Sequence, residues 1–250
     1  MSVGLAWRYA RGILALRADD VLLASFPRSG STLFRFVVAQ YGMDGEEGTV
    51  PFERLNERAP ELGASGLAQP SPTGGLPRLI KTHRPFAFPL GRPRAIHLVR
   101  APLDALASYH RYWTARVGAS DRGRGRFLRD RRRGLPRWIR HTRSWADRAD
   151  ATVRYAALRA NPAGAVGAAL CALGVSFDPG ALAAAADRSS AAAVQREEAR
   201  AGVAGPDALR PGSVFVADRP VGEGARYFDE PDRQWAADQL HRAGLGPWAS

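Results

Sequence analysis

The segment Val21-Leu22-Leu23-Ala24-Ser25-Phe26-Pro27-Arg28-Ser29-Gly30-Ser31-Thr32 decides how the chain is read, because an apolar run passes at once into a short polar loop. Apolar residues then recur at Phe34, Val37, Val38 and Tyr41, at intervals of 3, 4 and 7 from Phe34, and that spacing predicts a helix. In a strand, tight loop and helix in this order, the loop N–H groups at the helix N-terminus point toward an anion. Gly30 lets the backbone approach closely, Ser29, Ser31 and Thr32 add hydroxyls, and Arg28 adds a planar cation suited to phosphate or sulfate. The string lacks the first glycine and the lysine of G-x-x-x-x-G-K-[ST], and it is not G-x-G-x-x-G. A serine-rich helix cap with no ligand is the plain alternative.

Working outward, Arg78 to Lys81 and Arg94 to Val99 read as two more short strands, followed by Thr82 and His83 in one case and by Arg100 in the other. Pro102 opens a helix with Asp104 in its first turn and Leu103, Leu106, His110 and Trp113 along a face. The stretch from Asp44 to Gly75 is loop-rich, with at most one short helix near Phe52 to Arg58. Leu135 to Ala149 reads as a helix, Ala151 to Tyr155 as a fourth strand, and Pro231 to Arg242 as a last helix. Alanine fills 20 of the 55 residues from Ala151 to Gly205, so helices are expected there, with breaks near Asn161-Pro162, Gly174 and Asp178-Pro179. Strands alternating with helices imply an α/β fold: three layers, a parallel sheet flanked by helices, with ligands at the carboxyl ends of the strands. The expectation is a single domain over residues 1–250 with a basic insertion at about 116–143.

The composition, 45% hydrophobic and 24% charged over 250 residues, is that of an ordinary globular chain. No apolar run reaches the roughly 18 residues of a membrane span, and Arg8, Arg11 and Arg17 interrupt the first 18 residues, so neither a span nor a secretory leader is expected and the setting is read as cytoplasmic. One cysteine, Cys171, excludes an intramolecular disulfide and a cysteine-rich metal site, and is expected to be a small buried residue. The 36 basic residues against 24 acidic give +12, and Lys81 is the only lysine among them. Between Arg116 and Arg143 lie 11 arginines against Asp121 and Asp130, which is +9 of that charge. Such a run reads as a solvated arm, a nucleic-acid contact or a clamp for an acidic partner.

Ser25-Phe26-Pro27-Arg28-Ser29-Gly30-Ser31-Thr32 resembles the 5′-phosphosulfate loop of sulfotransferases that use 3′-phosphoadenosine 5′-phosphosulfate (PAPS), close to T-Y-P-K-S-G-T-T-W. Three further stretches follow in that family's order. Lys81-Thr82-His83-Arg84-Pro85 is similar to the K-T-H-x-P segment carrying the catalytic base. The run from Ile96 to Ser108 is similar to the 3′-phosphate segment, in which an arginine and a serine eight residues later hold the phosphate, here Arg100 and Ser108. Arg154-Tyr155 with Leu158, Asn161 and Pro162 resembles R-Y-E-D-L-x-x-x-P, whose tyrosine contacts adenine.

The resemblance implies a P-loop-like sulfotransferase fold and transfer of a sulfuryl group from PAPS, leaving PAP, to a hydroxyl or amine of a small or medium-sized acceptor. It assigns His83 as general base, Arg28 and Lys81 as the groups holding the transferring sulfonate, and Arg28, Ser29, Gly30, Ser31, Thr32, Arg100, Ser108 and Tyr155 as the nucleotide site, with no metal. A neutral imidazole with an ordinary pKa of about 6.5 suits such a base. The family's late R-K-G-x-x-G loop is partly matched by Arg219-Pro220-Val221-Gly222-Glu223-Gly224, so Arg219 and Gly222 join the cofactor-binding set; Arg210-Pro211-Gly212 imitates only the loop's start. Other departures are Leu33 where an aromatic stacks on adenine, Arg28 for a lysine, and Ala156-Ala157 for an acidic pair.

His97 is read as packed in its strand, and His110, His141 and His241 as helix residues without partners. The basic stretch falls where the family places acceptor loops, with Trp113 or Trp138 as an apolar wall and arginines drawing in an acidic or glycosylated acceptor. A homo-oligomer is compatible with the sequence. The competing readings are a nucleic-acid-binding protein acting through the arginine-rich arm, which has few interleaved aromatics, and a P-loop kinase, which lacks its lysine motif. Nucleic acid is not an expected partner.

Overall fold

The apolar run becomes the centre of a parallel sheet. In the computed structural model, which describes residues 3–43, 49–51, 54–63, 67, 74–86, 93–117, 123–201 and 219–248, the elements run α1 (Val3–Leu14), β1 (Val21–Ser25), α2 (Ser31–Tyr41), α3 (Leu55–Arg58), β2 (Leu79–Thr82), β3 (Arg94–Val99), α4 (Pro102–Val117), α5 (Arg124–Arg129), α6 (Leu135–Ala146), β4 (Ala151–Arg154), α7 (Tyr155–Ala160), α8 (Pro162–Ala172), α9 (Pro179–Arg188), α10 (Ala191–Ala201), α11 (Gly224–Tyr227) and α12 (Glu230–Arg242). Among the described residues the four strands pair in the order β2-β1-β3-β4, all parallel. The register sets Ala24 opposite Thr82 and His97, so the chain leaves β1, β2 and β3 at one common edge. The polar residues picked out above, Arg28, His83 and Arg100, follow those three exits.

Successive β1 residues face opposite layers, as the pleat of a strand requires. Val21 and Leu23 pack with Phe34, Val37 and Val38 of α2, Val166 and Leu170 of α8 and Leu182 of α9. Leu22 and Ala24 pack with Ile80, Ala95, Trp145 of α6, and Tyr9 and Ile13 of α1. A sheet covered on both faces explains why its strands read as continuous apolar runs. The opposite edge of the sheet is pinned by a buried, two-pronged ion pair, with Arg78 Nε and Nη2 each 2.7 Å from an Asp20 carboxylate oxygen. Asn161 and Asp178, at two of the anticipated breaks, are N-caps whose side chains accept from the N–H of Gly164 and Ala181, with proline opening each helix.

Two sequence expectations change. Cys171 lies exposed on α8 rather than buried, since the apolar side of that helix is taken by Val166 and Leu170. The basic stretch is no solvated arm over its described residues. Phe127 and Leu128 of α5 and Leu135 and Trp138 of α6 join Phe26, Val99, Leu106 and Leu240 in a core cluster beside the sheet's carboxyl edge. The arginines decorate the outer faces of helices whose inner faces are apolar.

Candidate active site

The loop from Pro27 to Gly30 adopts the conformation that a close anion site requires. Gly30 has φ 100° and caps α2, and Arg28, at φ 67°, is the one non-glycine residue among those described that is held in the left-handed region, which costs about 1 kcal/mol. A Cβ at Gly30 would lie 2.5 Å from the Tyr155 ring, so glycine is needed there both for its dihedral and for the ring packed against it. The cavity above this loop has a volume of about 500 Å³, within the roughly 300–1,000 Å³ usual for ligand sites. Its wall includes Arg28, Gly30, Ser31, Thr32, Lys81, His83, Arg100, Ser108 and Tyr155, which the sequence had separated by more than a hundred positions.

The anion-binding groups are cross-braced. Arg28 Nε–H donates to Ser108 Oγ at 3.3 Å, and Arg100 Nη1–H donates to the Arg28 carbonyl at 3.1 Å. The Arg100 guanidinium lies 4.3 Å from the centroid of the Tyr155 ring. Two buried polar atoms, Ser29 Oγ and Arg100 Nε, make no hydrogen bond among the described residues. Buried donors of this kind call for a partner, and a phosphate at the loop would supply one. The donor set thus fits a phosphate-bearing ligand.

His83 closes the same wall. Its Nδ1–H donates to the Ser25 carbonyl at 2.7 Å, which fixes the neutral tautomer and leaves Nε2 with the lone pair. Burial, then the neighbouring Lys81 charge, and in smaller part Arg137, hold the imidazole well below its ordinary 6.5. Lys81 is itself almost buried, and its Nζ lies 2.8 Å from Glu61 Oε2. That pairing arises because residues 60–62 run beside β2, with Lys81 N–H donating to the Pro60 carbonyl and Leu62 N–H to the Lys81 carbonyl, both at 2.8 Å. Lys81, one of the cations chosen from sequence, is thus held in an ion pair.

Not every expected residue arrives. Arg219 and Gly222 are absent from this wall, and so is Ser29, which is fully buried within the loop. Gly222 N–H and Gly224 N–H donate to Asp104 Oδ2 and Oδ1 at 2.8 and 2.7 Å, while exposed Arg219 lies 3.9 Å from Glu223. Residues 202–218, and with them Arg210-Pro211-Gly212, lie outside the described residues. Trp138 is fully buried and Trp113 sits under the Arg133 guanidinium, so the aromatic wall is formed by Tyr109 and Tyr112 instead. Those two share α4 with Ser108, and Tyr112 follows it by one helical turn, a spacing visible in the sequence. Glu61 and Arg137 carried no such local signal. Phe127 and Trp138, the aromatics available for base stacking in a nucleic-acid reading, are in the core. His97 is packed in its strand as expected, and burial lowers it to about 4. His141 is fully buried and makes no hydrogen bond among the described residues, whereas His110 Nδ1 lies 2.6 Å from the Tyr227 hydroxyl.

Residues 18–204 match the sulfotransferase domain family, three quarters of the sequence. The chain belongs to that family. Curated relatives include mouse sulfotransferase 4A1, 27% identical over 56% of this chain and 53% of the mouse protein, and human sulfotransferase 2B1, 27% identical over 52% of this chain and 38% of the human one. The chain therefore spans about half the length, or less, of the curated relatives it matches. Among solved structures, mouse sulfotransferase SULT7A1 complexed with PAP superposes with a TM-score of 0.68 at 17% identity, covering 94% of this chain and 91% of the other. Retinol dehydratase in complex with androsterone and PAP gives 0.67 at 16%, covering 95% and 85%. These likenesses establish the α/β sulfotransferase fold. Among the described residues no helix is long and apolar enough to cross a membrane.

Proposed function

We propose that the chain transfers a sulfuryl group from PAPS to a hydroxyl, or an amine, of a small or medium-sized acceptor, with His83 as general base. The observation that carries this reading is the Nδ1–H bond from His83 to the Ser25 carbonyl, which leaves Nε2 able to take a proton on the wall shared with the phosphate loop. When bound, PAPS supplies the sulfuryl group and PAP is what leaves. In this reading the loop N–H groups, Ser31, Thr32 and Arg28 on the cavity wall and the unpartnered Ser29 hydroxyl behind it hold its 5′ end; Arg100 and Ser108 hold the 3′-phosphate, and the Tyr155 ring meets the adenosine. His83 Nε2 accepts the acceptor hydroxyl proton as the oxygen forms its bond to sulfur and the bond to the departing phosphate breaks. Positive groups around a developing negative charge supply most of the remaining stabilisation, as in phosphoryl transfer. The reading calls on no metal ion, and a cytoplasmic setting belongs to it.

The test is calorimetric titration with PAP followed by turnover of labelled PAPS against phenols, sterols and sugars. Micromolar or tighter PAP binding and a labelled sulfated product are expected. Absence of PAP binding overturns the reading.

A further inference from the structure

The cavity carries more positive charge than its nucleotide end accounts for. Six cationic side chains line it against one carboxylate, Glu61, which already pairs with Lys81. Arg28, Lys81 and Arg100 gather at the strand ends around the phosphate loop. Arg137 comes from α6, in the basic stretch, and reaches the wall beside the base. Its Nη2–H donates to the His83 carbonyl at 3.5 Å, and its Nη1–H donates to the Tyr109 hydroxyl at 3.4 Å and the Arg132 carbonyl at 3.5 Å. The guanidinium also lies 5.6 Å from the centroid of the Phe26 ring. Every one of these partners is neutral, the three hydrogen bonds are long, and Arg137 forms no ion pair among the described residues. Arg116, at the end of α4, donates to the Tyr112 hydroxyl at 3.4 Å and likewise has no carboxylate partner among the described residues. A half-buried guanidinium with only weak neutral acceptors is a standing site for an anion, because its fork matches a carboxylate or phosphate in two-pronged geometry. Tyr109 and Tyr112, stacked with ring centroids 6.4 Å and planes 22° apart, line the same cavity and supply aromatic surface to it.

Resting on the sulfotransferase reading, we infer that the acceptor is a hydroxylated ring compound bearing an acidic substituent, which Arg137 grips beside the hydroxyl presented to His83, with Arg116 at the rim. The sulfate-bearing half of the site and the acceptor half then use separate arginines. Arg137 is an acceptor-binding and specificity residue.

The experiment compares 4-hydroxybenzoate with its methyl ester at saturating PAPS. A charge-assisted hydrogen-bonded pair is worth about 1.5–3 kcal/mol, so kcat/KM should favour the acid by about tenfold or more, mainly through KM. Arg137→Gln should collapse that preference to within about threefold, and Arg137→Lys should retain part of it. PAP affinity, measured by calorimetry on the same samples, should stay within about twofold in both variants, which also shows that they are folded. Equal use of acid and ester, preference for the ester, or a ratio untouched by Arg137→Gln overturns the inference while leaving the parent reading standing. Should neither compound turn over, calorimetry of the PAP-saturated protein with 4-hydroxybenzoate decides. Binding lost in Arg137→Gln supports the inference, and no binding to the unaltered chain overturns it. Failure of the unaltered chain to bind PAP overturns the sulfotransferase reading and the inference with it.

Discussion

Two basic regions meet at this cavity, and they are built on different principles. The loop from Pro27 to Thr32 owes its proposed anion site to backbone geometry: a glycine at φ 100°, an arginine at φ 67°, and N–H groups left over at the start of α2. The stretch from Arg124 to Ala146 owes its place to side-chain burial, with Trp138, Trp145 and Leu128 fully inside and arginines outside. Charge density is thus a poor guide to where an anion binds. The loop of six residues carries one arginine, while most arginines from Arg124 to Ala146 face outward and Arg137 is the member of that stretch on the cavity wall.

The comparison can be broken most sharply at the proposed base. His83→Ala should cut turnover by about 10²–10⁴-fold, with PAP affinity within about twofold. In the unaltered chain the acid limb of kcat/KM should lie below pH 6.5, because burial and Lys81 keep the imidazole deprotonated to lower pH. A limb at or above neutrality would contradict the geometry. On the other side, Trp138→Ala should destabilise the chain by about 3–5 kcal/mol in a urea titration, since the ring is fully buried. A segment lying on the surface would lose almost nothing.

The seam between the regions titrates. His97 of β3 faces His141 of α6 with ring centroids 5.8 Å apart, both buried. With His97 at about 4 when folded and 6.5 when free, the unfolded chain takes up the proton first, so stability is whole above pH 6.5 and falls by about 3 kcal/mol toward pH 4. His141, also held well below its ordinary value by burial, steepens the same slope. Unfolding midpoints measured across that range in the unaltered chain and in His97→Gln should show a shallower fall in the variant. Gly30→Ala should cost about 1–3 kcal/mol and weaken PAP binding by about tenfold or more, because the methyl meets the Tyr155 ring and the dihedral disfavours it. The smallest effect belongs to Arg131→Ala. This exposed arginine should change stability by less than about 0.5 kcal/mol, in contrast with its buried neighbour Trp138.

Much of the sheet's carboxyl edge was legible because it is written in short-range signals. A strand exit followed by Ser29-Gly30-Ser31, a lysine two residues before His83, and an arginine eight residues before Ser108 each specify a local shape, and parallel pairing then collects them. The basic segment misled because arginine dominates its composition. The inward face of α6, Leu135, Trp138, Thr142 and Trp145, does keep helical spacing, but only when the charged residues between are set aside. Glu61 and Arg137 were invisible for another reason. Each reaches its partner, Lys81 or the His83 carbonyl, across 20 and 54 positions, and nothing in their own neighbourhoods depends on that contact.

Residue 28 divides into two separable parts. Its carbonyl, on a left-handed stretch of backbone, receives the Arg100 hydrogen bond, while its guanidinium reaches Ser108. Shortening the side chain would therefore remove a cation and leave the bridge from loop to β3 standing, whereas forcing the backbone into an extended conformation would withdraw the carbonyl and detach Arg100 even with every charge still present. Ligand chemistry and architecture at this position can be altered one at a time.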